Sequence, residues 1–547
     1  MNGVVDNFSF VGYATLQAQL IKLTAKLRLN MEGRILWADD EIDLLKPHIL
    51  FLQEKGFEID TVNNGSDAVD MADETHYDII FLDENMPGLT GLETLSKIKE
   101  NNSNVPIIMI TKSEEEHIME EAIGGQISDY LIKPVNPNQI LLSLKKNLDS
   151  RNLVSQKTSS DYQQEFREIG MRLNDRLDAS EWADIYDKLV KWELKLENSN
   201  DQGMKEVFAM QKKEANTQFC KYIDKNYRDW INNEDDDAPI LSHQLLSYKL
   251  MDNLKPGNDP VFLIVIDNLR YDQWKVLEPE ITRYFNVDKE ETFYSILPTA
   301  THYARNALFA GLTPLDIEKK HPQYWKNESE EGGKNMFEKE LLQTNLDRHR
   351  KDIKMSYNKV IKLDYAKKLV ERFNELLQND LNAIVYNFVD MLSHARTDME
   401  VIKELADDEA AYRSLTLSWF NHSPLKDMLK KISEKGLKVY LTTDHGTIRV
   451  NSPVKVVGDK NTNTNLRYKV GRNLNFSEKE VIVSSDPEAI RLPKENVSSQ
   501  FIFSKESDFF AYPNNYNYYV KFYNDTFQHG GVSLEEVIIP WIELSAK

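Results

Sequence analysis

Between Arg34 and about residue 150, five β-rich runs alternate with helical stretches: "RILWA", "EIDTV", "YDIIFLD", "VPIIMIT" and "DYLIKP". Strands separated by helical connections pair in parallel and are covered by helices on both faces. Their carboxyl ends then share one rim, where such sheets place ligands. Asp39 and Asp40 end the first run, Asp83 the third, Thr111 the fourth, and Lys133 the fifth, just before Pro134. Two acids beside Asp83 suit Mg²⁺, which takes a few carboxylates and keeps several waters. The ion neutralises charge on a phosphoryl group arriving at Asp83, a carboxylate able to act as nucleophile. Lys133 adds a fixed positive charge and Thr111 a hydroxyl donor. Helix capping accounts for any one acid at a strand end, but poorly for all five residues together.

From about 151 to 232 the strand signal vanishes. Trp182, Ile185, Tyr186, Leu189, Trp192 and Leu196 recur at helical spacing, and Phe208, Ala215, Phe219 and Tyr222 continue the pattern. Amphipathic helices in a small bundle follow, with the aromatic stripes read as core rather than as a ligand box. "NNEDDDAP" (232–239) is a charged, Pro-ended break and reads as a linker.

From about 255 onward α/β patterning returns on a larger scale. "VFLIVI", "LNAIVYNFV", "LKVYLTT" and "NYYVKFY" read as strands, and three of them are closely followed by Asp or His. Asp267 follows the first; Asp390 follows the second, with His394 four residues on; Asp444 and His445 follow the third; His529 stands in "FQHGG". Thr299 and Thr301 lie in "LPTATHYARNALFAG", a loop entering a helix. Asp390 and His394, four apart, share one face of a helical turn and can bind a single ion. Carboxylate and imidazole together suit Zn²⁺, with Mn²⁺ as an alternative. The six acids and imidazoles with one threonine hydroxyl make seven donors, too many for one tetrahedral ion and enough for two. Paired ions roughly 3.5–4 Å apart clamp the attacking and leaving oxygens of a phosphoryl transfer. A threonine hydroxyl at a helix N-terminus beside such an ion is both activated and oriented.

Composition narrows the classes. A formal charge of −21 repels nucleic acid and anionic lipid, and no DNA-reading module is evident, so direct sequence-specific DNA binding is not expected. The single cysteine, Cys220, excludes an intrachain disulfide and a Cys-rich zinc module, and reads as a half-buried helix residue. No apolar run approaches the roughly 18 residues that span a bilayer, so no membrane span is expected. Residues 1–30 are not patterned as a signal peptide, because Lys22, Lys26 and Arg28 follow their apolar stretch. Leu16, Leu20, Leu23 and Leu27 allow a short amphipathic helix there, but the segment reads as an extension outside any folded domain. The cytoplasm is the expected location.

The first rim resembles that of a CheY-like response-regulator receiver domain. "ILWADDE" is similar to its first strand and acid pair, "IIFLDENMPGLTG" to its phosphoacceptor segment, and "MITKS" and "DYLIKPV" to its hydroxyl and lysine strands. The resemblance implies that Asp83 accepts phosphate from a sensor histidine kinase. It also implies that Asp40, Asp83 and the backbone of Asn85, with Asp39 completing the acid pair, bind Mg²⁺. Thr111 and Tyr130 couple phosphorylation to the face formed by the fourth and fifth strands. Trp37 and Ala38 depart from the small β-branched residues usual before the acid pair.

The second rim resembles the alkaline phosphatase superfamily, and "VIDNLRYDQW" resembles its PglZ branch. Carried over, Asp390, His394 and His529 hold one zinc, and Asp267, Asp444, His445 and the nucleophile oxygen hold the other. The family's nucleophile stands about ten residues before a glycine that closes its helix. Thr301 lies ten before Gly311 and Thr299 twelve, so Thr301 is the first choice and Thr299 the second. A threonine nucleophile implies a phosphodiesterase, with nucleotidic diesters among the candidate substrates.

Receiver, helical linker and PglZ-type domain in this order resemble the PorX-like response regulators of type IX secretion and gliding. The expected architecture is α/β: an extension (1–30), a five-stranded parallel (βα)5 receiver (31–150), a helical-bundle linker (151–238) and an α/β/α alkaline-phosphatase-like domain (239–547). The resemblance implies a sigma factor or secretion-system component as a further partner, and homodimerisation on phosphorylation. The leading expectation is an enzyme, a zinc-dependent phosphohydrolase controlled by Asp83. The alternative is a binding regulator in which zinc is structural and phosphorylation exposes a surface for a partner.

Overall fold

The structure, a computed structural model, describes residues 33–102, 105–112, 127–137, 139–141, 143–144, 147, 162, 164–197, 202–398, 408–459 and 462–547. The extension over 1–30, with its expected leucine-spaced helix, lies outside the described residues. The chain divides into two compact units, Met1–Thr158 and Ser159–Lys547.

In the first unit β1 (Gly33–Ala38), β2 (Phe57–Val62), β3 (Ile79–Asp83), β4 (Ile107–Thr111) and β5 (Asp129–Ile132) form one parallel sheet. Their order is β2-β1-β3-β4-β5, with the reversal of winding beside β1 that places a ligand crevice at the strand ends. Successive strand residues point to opposite faces, and each face has its own core. Leu36, Ala38, Ile80, Leu82 and Met109 pack on one side with Leu95 and Ile98 of helix α2 (Gly91–Asn101). Ile35, Trp37, Ile79, Phe81 and Ile110 pack on the other with Leu52 of helix α1 (Lys46–Glu54). Trp37, the departure noted above, is absorbed there, with its ring centroid 5.1 Å from that of Phe81.

In the second unit a six-stranded sheet joins β6 (Val261–Ile266), β7 (Phe285–Tyr294), β8 (Met355–Val360), β9 (Leu381–Tyr386), β10 (Lys438–Thr442) and β11 (Ile538–Ala546). The order is β7-β11-β10-β6-β9-β8; β10, β6, β9 and β8 run parallel, and β11 pairs antiparallel with both β10 and β7. The buried strands β6 and β9 are continuous apolar runs, as strands covered on both faces must be.

Two sequence expectations change here. "NYYVKFY" forms a helix, Tyr516–Tyr523, rather than a strand. Its rings meet at helical spacing, with Tyr518 6.0 Å from Phe522 and Tyr519 6.1 Å from Tyr523, and such i,i+4 pairing overrides the β preference of aromatic residues. The run "LNAIVYNFV" stays a strand only to Tyr386, and a helix begins at Phe388.

Among the described residues the linker includes two long helices, α3 (Ala179–Glu197) and α4 (Gln202–Ile231). Their aromatic stripe is core, as read, but it is not a core of their own. Trp182, Ile185, Phe219 and Trp230 share one continuous cluster with β6, β9 and β11. Cys220 is buried, not half-buried, because its helix face is closed by the α/β domain. Among the described residues no helix is long and apolar enough to cross a membrane.

Candidate metal centre and phosphoacceptor site

At the rim of the first sheet, Lys133 Nζ lies 2.9 Å from Asp39 Oδ2 and 2.6 Å from Asp83 Oδ1. Asp39 and Asp83 are buried and Asp40 is exposed. Burial pushes the Asp83 carboxyl above its ordinary value and Asp39 adds to this, while Lys133 opposes it. The Asn85 amide donates to Asp83 Oδ2 at 3.3 Å. Donor oxygens of Asp39, Asp40 and Asp83 lie within 4.8 Å of one another, a set of hard oxygen ligands that fits Mg²⁺. Thr111 donates to Glu84, an acid beside Asp83 that the sequence reading passed over. Tyr130 is exposed on β5. Gly91 permits the close approach of α2: a Cβ there meets the Asp83 carbonyl oxygen at 2.4 Å.

At the rim of the second sheet the expected residues gather into two sets. Asp390, His394 and His529 offer donor atoms within 4.8 Å of one another, and so do Asp267, Asp444 and His445. Asp390 and His394 occupy successive turns of helix Phe388–Asp398, with His394 Nε2 3.5 Å from Asp390 Oδ1 and His529 Nε2 3.6 Å from the same oxygen. In the other set His445 Nε2 lies 3.6 Å from Asp444 Oδ2 and 3.9 Å from Asp267 Oδ1. The rings of His445 and His529 stack with centroids 4.3 Å apart, so the two sets adjoin.

Thr301 is the first residue of helix Thr301–Ala310, which Gly311 closes with φ 60°. Its Oγ1 lies 3.4 Å from Asp267 Oδ1 and 3.1 Å from His445 Nε2. Thr299 is placed differently. Its hydroxyl donates to the Gly531 carbonyl at 2.8 Å and accepts from the Gly530 amide at 3.1 Å, so it fastens the segment that carries His529.

The donors fit metal ions. Asp390 Oδ1 and Asp444 Oδ2 are buried and have no hydrogen-bond partner, a costly condition for a carboxylate that an ion would relieve. Burial, then Asp267, pushes the Asp390 carboxyl up to about 6. Burial, then His445 and His394, holds His529 well below its ordinary value, leaving the neutral imidazole that metals bind. Neighbours fix the ring orientations: His529 Nδ1 lies 3.2 Å from the Thr299 carbonyl, and His445 Nδ1 3.1 Å from that of Gly446. In both cases Nε2 is left toward the cluster.

Residues 245–544, more than half of the chain, match the family described as the BREX system PglZ alkaline phosphatase-like domain. The chain belongs to the PglZ family. In this PglZ protein, residues 152–231 match the PorX response regulator linker domain and 35–145 the response regulator receiver domain. The receiver is homologous to two-component regulators. Transcriptional regulatory protein ResD of Bacillus subtilis is 34% identical over 114 residues, 21% of this chain and 47% of that protein. SrrA of Staphylococcus aureus is 33% identical over 115 residues, again 21% and 47%. The chain thus spans about half the length of the curated relatives it matches. Among solved structures, Vibrio cholerae CheY4 is 28% identical, covering 21% of this chain and 97% of that one, with a TM-score of 0.20. A Clostridium difficile two-component response regulator is 30% identical, covering 22% and 97%, with a TM-score of 0.21.

The PglZ site holds residues that sequence reasoning missed. Arg305 is fully buried, its Nη1 2.7 Å from Asp267 Oδ2 and 3.8 Å from Asp444 Oδ2, while its Nε donates to Glu338 at 2.6 Å. Asn387 Nδ2 donates to Asp267 Oδ2 at 2.7 Å. Together they occupy one oxygen of Asp267 and leave the other toward Thr301. The available signal was spacing: Arg305 stands four residues beyond Thr301 on the same helix face.

Proposed function

We propose that this chain is a two-component response regulator whose output is a zinc-dependent phosphohydrolase, a phosphodiesterase acting through Thr301, in the control of type IX secretion and gliding. The observation that carries the reading is Thr301 Oγ1 at a helix N-terminus, 3.4 Å from Asp267 Oδ1 and 3.1 Å from His445 Nε2, beside both donor sets. Asp390, His394 and His529 would hold one zinc, and Asp267, Asp444 and His445 the other, with manganese as an alternative. Bound there, the ions supply Lewis-acid stabilisation of the developing oxyanions. Thr301 Oγ1 loses its proton to solvent and attacks phosphorus, and the bond to the leaving oxygen, which takes a proton from solvent, breaks as the bond to threonine forms. Water then attacks phosphorus and the bond to Thr301 breaks, one water proton going to solvent and the threonine oxygen regaining a proton from solvent. Arg305 and Asn387 hold Asp267 in orientation, and the partial positive charge of the helix N-terminus favours an anionic phosphoester beside Thr301.

Control is assigned to the receiver (31–150), acting through the linker (151–238) on the output domain (239–547). A sensor histidine kinase would phosphorylate Asp83, with Mg²⁺ held by Asp39, Asp40, Asp83 and the backbone of Asn85. Lys133 would pair with the phosphoryl oxygens, and Thr111 and Tyr130 would carry the switch. Phosphorylation would promote a homodimer and engagement of a sigma factor or secretion-system component, in the cytoplasm. The test is turnover of a chromogenic phosphodiester by Thr301→Ala in the zinc-loaded chain. Loss of turnover with zinc retained supports the nucleophile, and undiminished turnover rejects it.

A further inference from the structure

The long linker helix α4 turns a polar stripe toward the segments that carry the metal centre. Lys212, Asn216, Cys220 and Tyr227 fall within roughly 80° of the helix circumference at about 100° per residue, on a face they share with the buried Ile223 and Trp230. Each makes a bond outside its own helix. Asn216 Oδ1 accepts from the Leu534 amide at 2.8 Å, and its Nδ2 donates to Glu535 Oε2 at 3.1 Å. Lys212 Nζ lies 3.1 Å from Glu535 Oε1. Cys220 Sγ donates to the Val532 carbonyl at 3.1 Å. Tyr227 Oη accepts from the Leu297 amide at 2.8 Å.

These partners belong to the two segments that present His529 and Thr301. Glu536 Oε1, next to Glu535, accepts from the Gly531 amide at 2.9 Å, and the Thr299 hydroxyl bridges Gly530 and Gly531. The same segment supports His445: the Gly446 amide donates to the Glu536 carbonyl at 3.2 Å. A Cβ at Gly446 would fall 1.9 Å from the Glu535 carbonyl oxygen, so the two backbones are in contact. Leu297 lies four residues before Thr301 in the segment that enters its helix.

We infer that Lys212, Asn216, Cys220 and Tyr227 are positioning residues of the metal centre, so that the linker helix sets the metal affinity of the His529 set and the placement of Thr301. The inference rests on the metal-centre reading above. Outer partners of metal ligands fix ligand orientation, and their loss typically lowers metal affinity about 10–100-fold. A shift of this helix along its axis breaks bonds to both segments at once. The linker is therefore part of the site as well as a spacer.

The test uses the full chain, stripped with a chelator and titrated with zinc, and with cobalt(II) as a spectroscopic probe. Asn216→Leu is expected to take up two ions, one of them at least about 10-fold more weakly than wild type, with an altered cobalt spectrum. Thr217→Ala, at a half-buried position whose hydroxyl donates to the Lys213 carbonyl of the same helix, is expected to match wild type. Tyr227→Phe is expected to lower kcat on a chromogenic phosphodiester about 10-fold, with KM and zinc affinity unchanged. A wild-type chain that takes up no zinc overturns both the metal centre and this inference. A wild type that takes up two ions, with a folded Asn216→Leu equal to it in affinity and spectrum, overturns the positioning role alone. If Asn216→Leu does not fold, Tyr227→Phe decides: a lowered kcat supports the role and a wild-type kcat overturns it.

Discussion

Arg305 lies four residues along its helix from Thr301 and sets its guanidinium 2.7 Å from Asp267 Oδ2, burying a cation behind Thr301. The same guanidinium reaches Asp444 and Glu338, so one positive charge offsets three acids. Removing one partner of a buried ion pair costs about 3–5 kcal/mol, because the remaining charges stay buried. Arg305→Met in the chelator-stripped chain is therefore expected to lose stability of about that size, measured by urea unfolding. Added zinc should restore part of it by neutralising Asp267 and Asp444.

The two threonines separate by role. Thr301→Ser keeps a hydroxyl at the site and should retain measurable turnover, whereas Thr301→Ala should lose at least about 10³-fold in kcat, the scale of losing a catalytic group. Thr299→Ala should instead cost about 1–3 kcal/mol of stability, because it leaves the buried Gly530 amide without its acceptor. A Thr299→Ala variant as stable as wild type but inactive would reverse the assignment.

Metal removal should destabilise the second unit. An ion that binds only the folded chain contributes about 4 kcal/mol when present at 1,000 times its Kd. Calorimetry with and without a chelator is expected to show a lower Tm in the stripped chain. Metal analysis should give two zinc per chain, falling to one in Asp390→Asn, which loses the acid common to His394 and His529.

His243 makes stability depend on pH away from the candidate metal centre. Burial holds its imidazole down to about 4, with Asp316 opposing and Arg491 assisting. The folded value lies below the unfolded one, so this contribution is complete above pH 6.5 and is lost as the pH falls towards 4. Over that window the buried neutral ring forfeits about 3 kcal/mol. Urea unfolding at pH 7.5 and 4.5 should show a smaller loss in His243→Gln than in wild type.

In the receiver, Lys133 spans Asp39 and Asp83. Beryllofluoride with Mg²⁺ is expected to convert the wild type to a dimer by light scattering, and to leave Asp83→Asn monomeric. A wild type that stays monomeric would reject the dimer switch.

The elements that were legible in the sequence are those fixed by local pattern. The strands that lead to Asp83, Asp267 and Asp444 announced themselves because a strand buried on both faces must be continuously apolar, which makes a polar residue at or just past its end conspicuous. His394 was legible from its spacing to Asp390. By contrast, "NYYVKFY" carries strand-forming residues, and only its ring contacts across helical turns show which preference prevails.

By itself, then, the sequence determined the layered α/β architecture, the rim on which each donor stands, and the pairing of Asp390 with His394. These follow from periodicities of two and 3.6 residues that act over a few positions. Only the tertiary structure decided that Arg305 neutralises Asp267, that Thr299 fastens a backbone rather than facing the donors, and that α4 joins the core of the α/β domain. Those outcomes depend on contacts between residues more than a hundred positions apart in most cases, such as Asn216 with Glu535. Which of two polar side chains faces the site depends on which backbone groups the fold brings within hydrogen-bond reach.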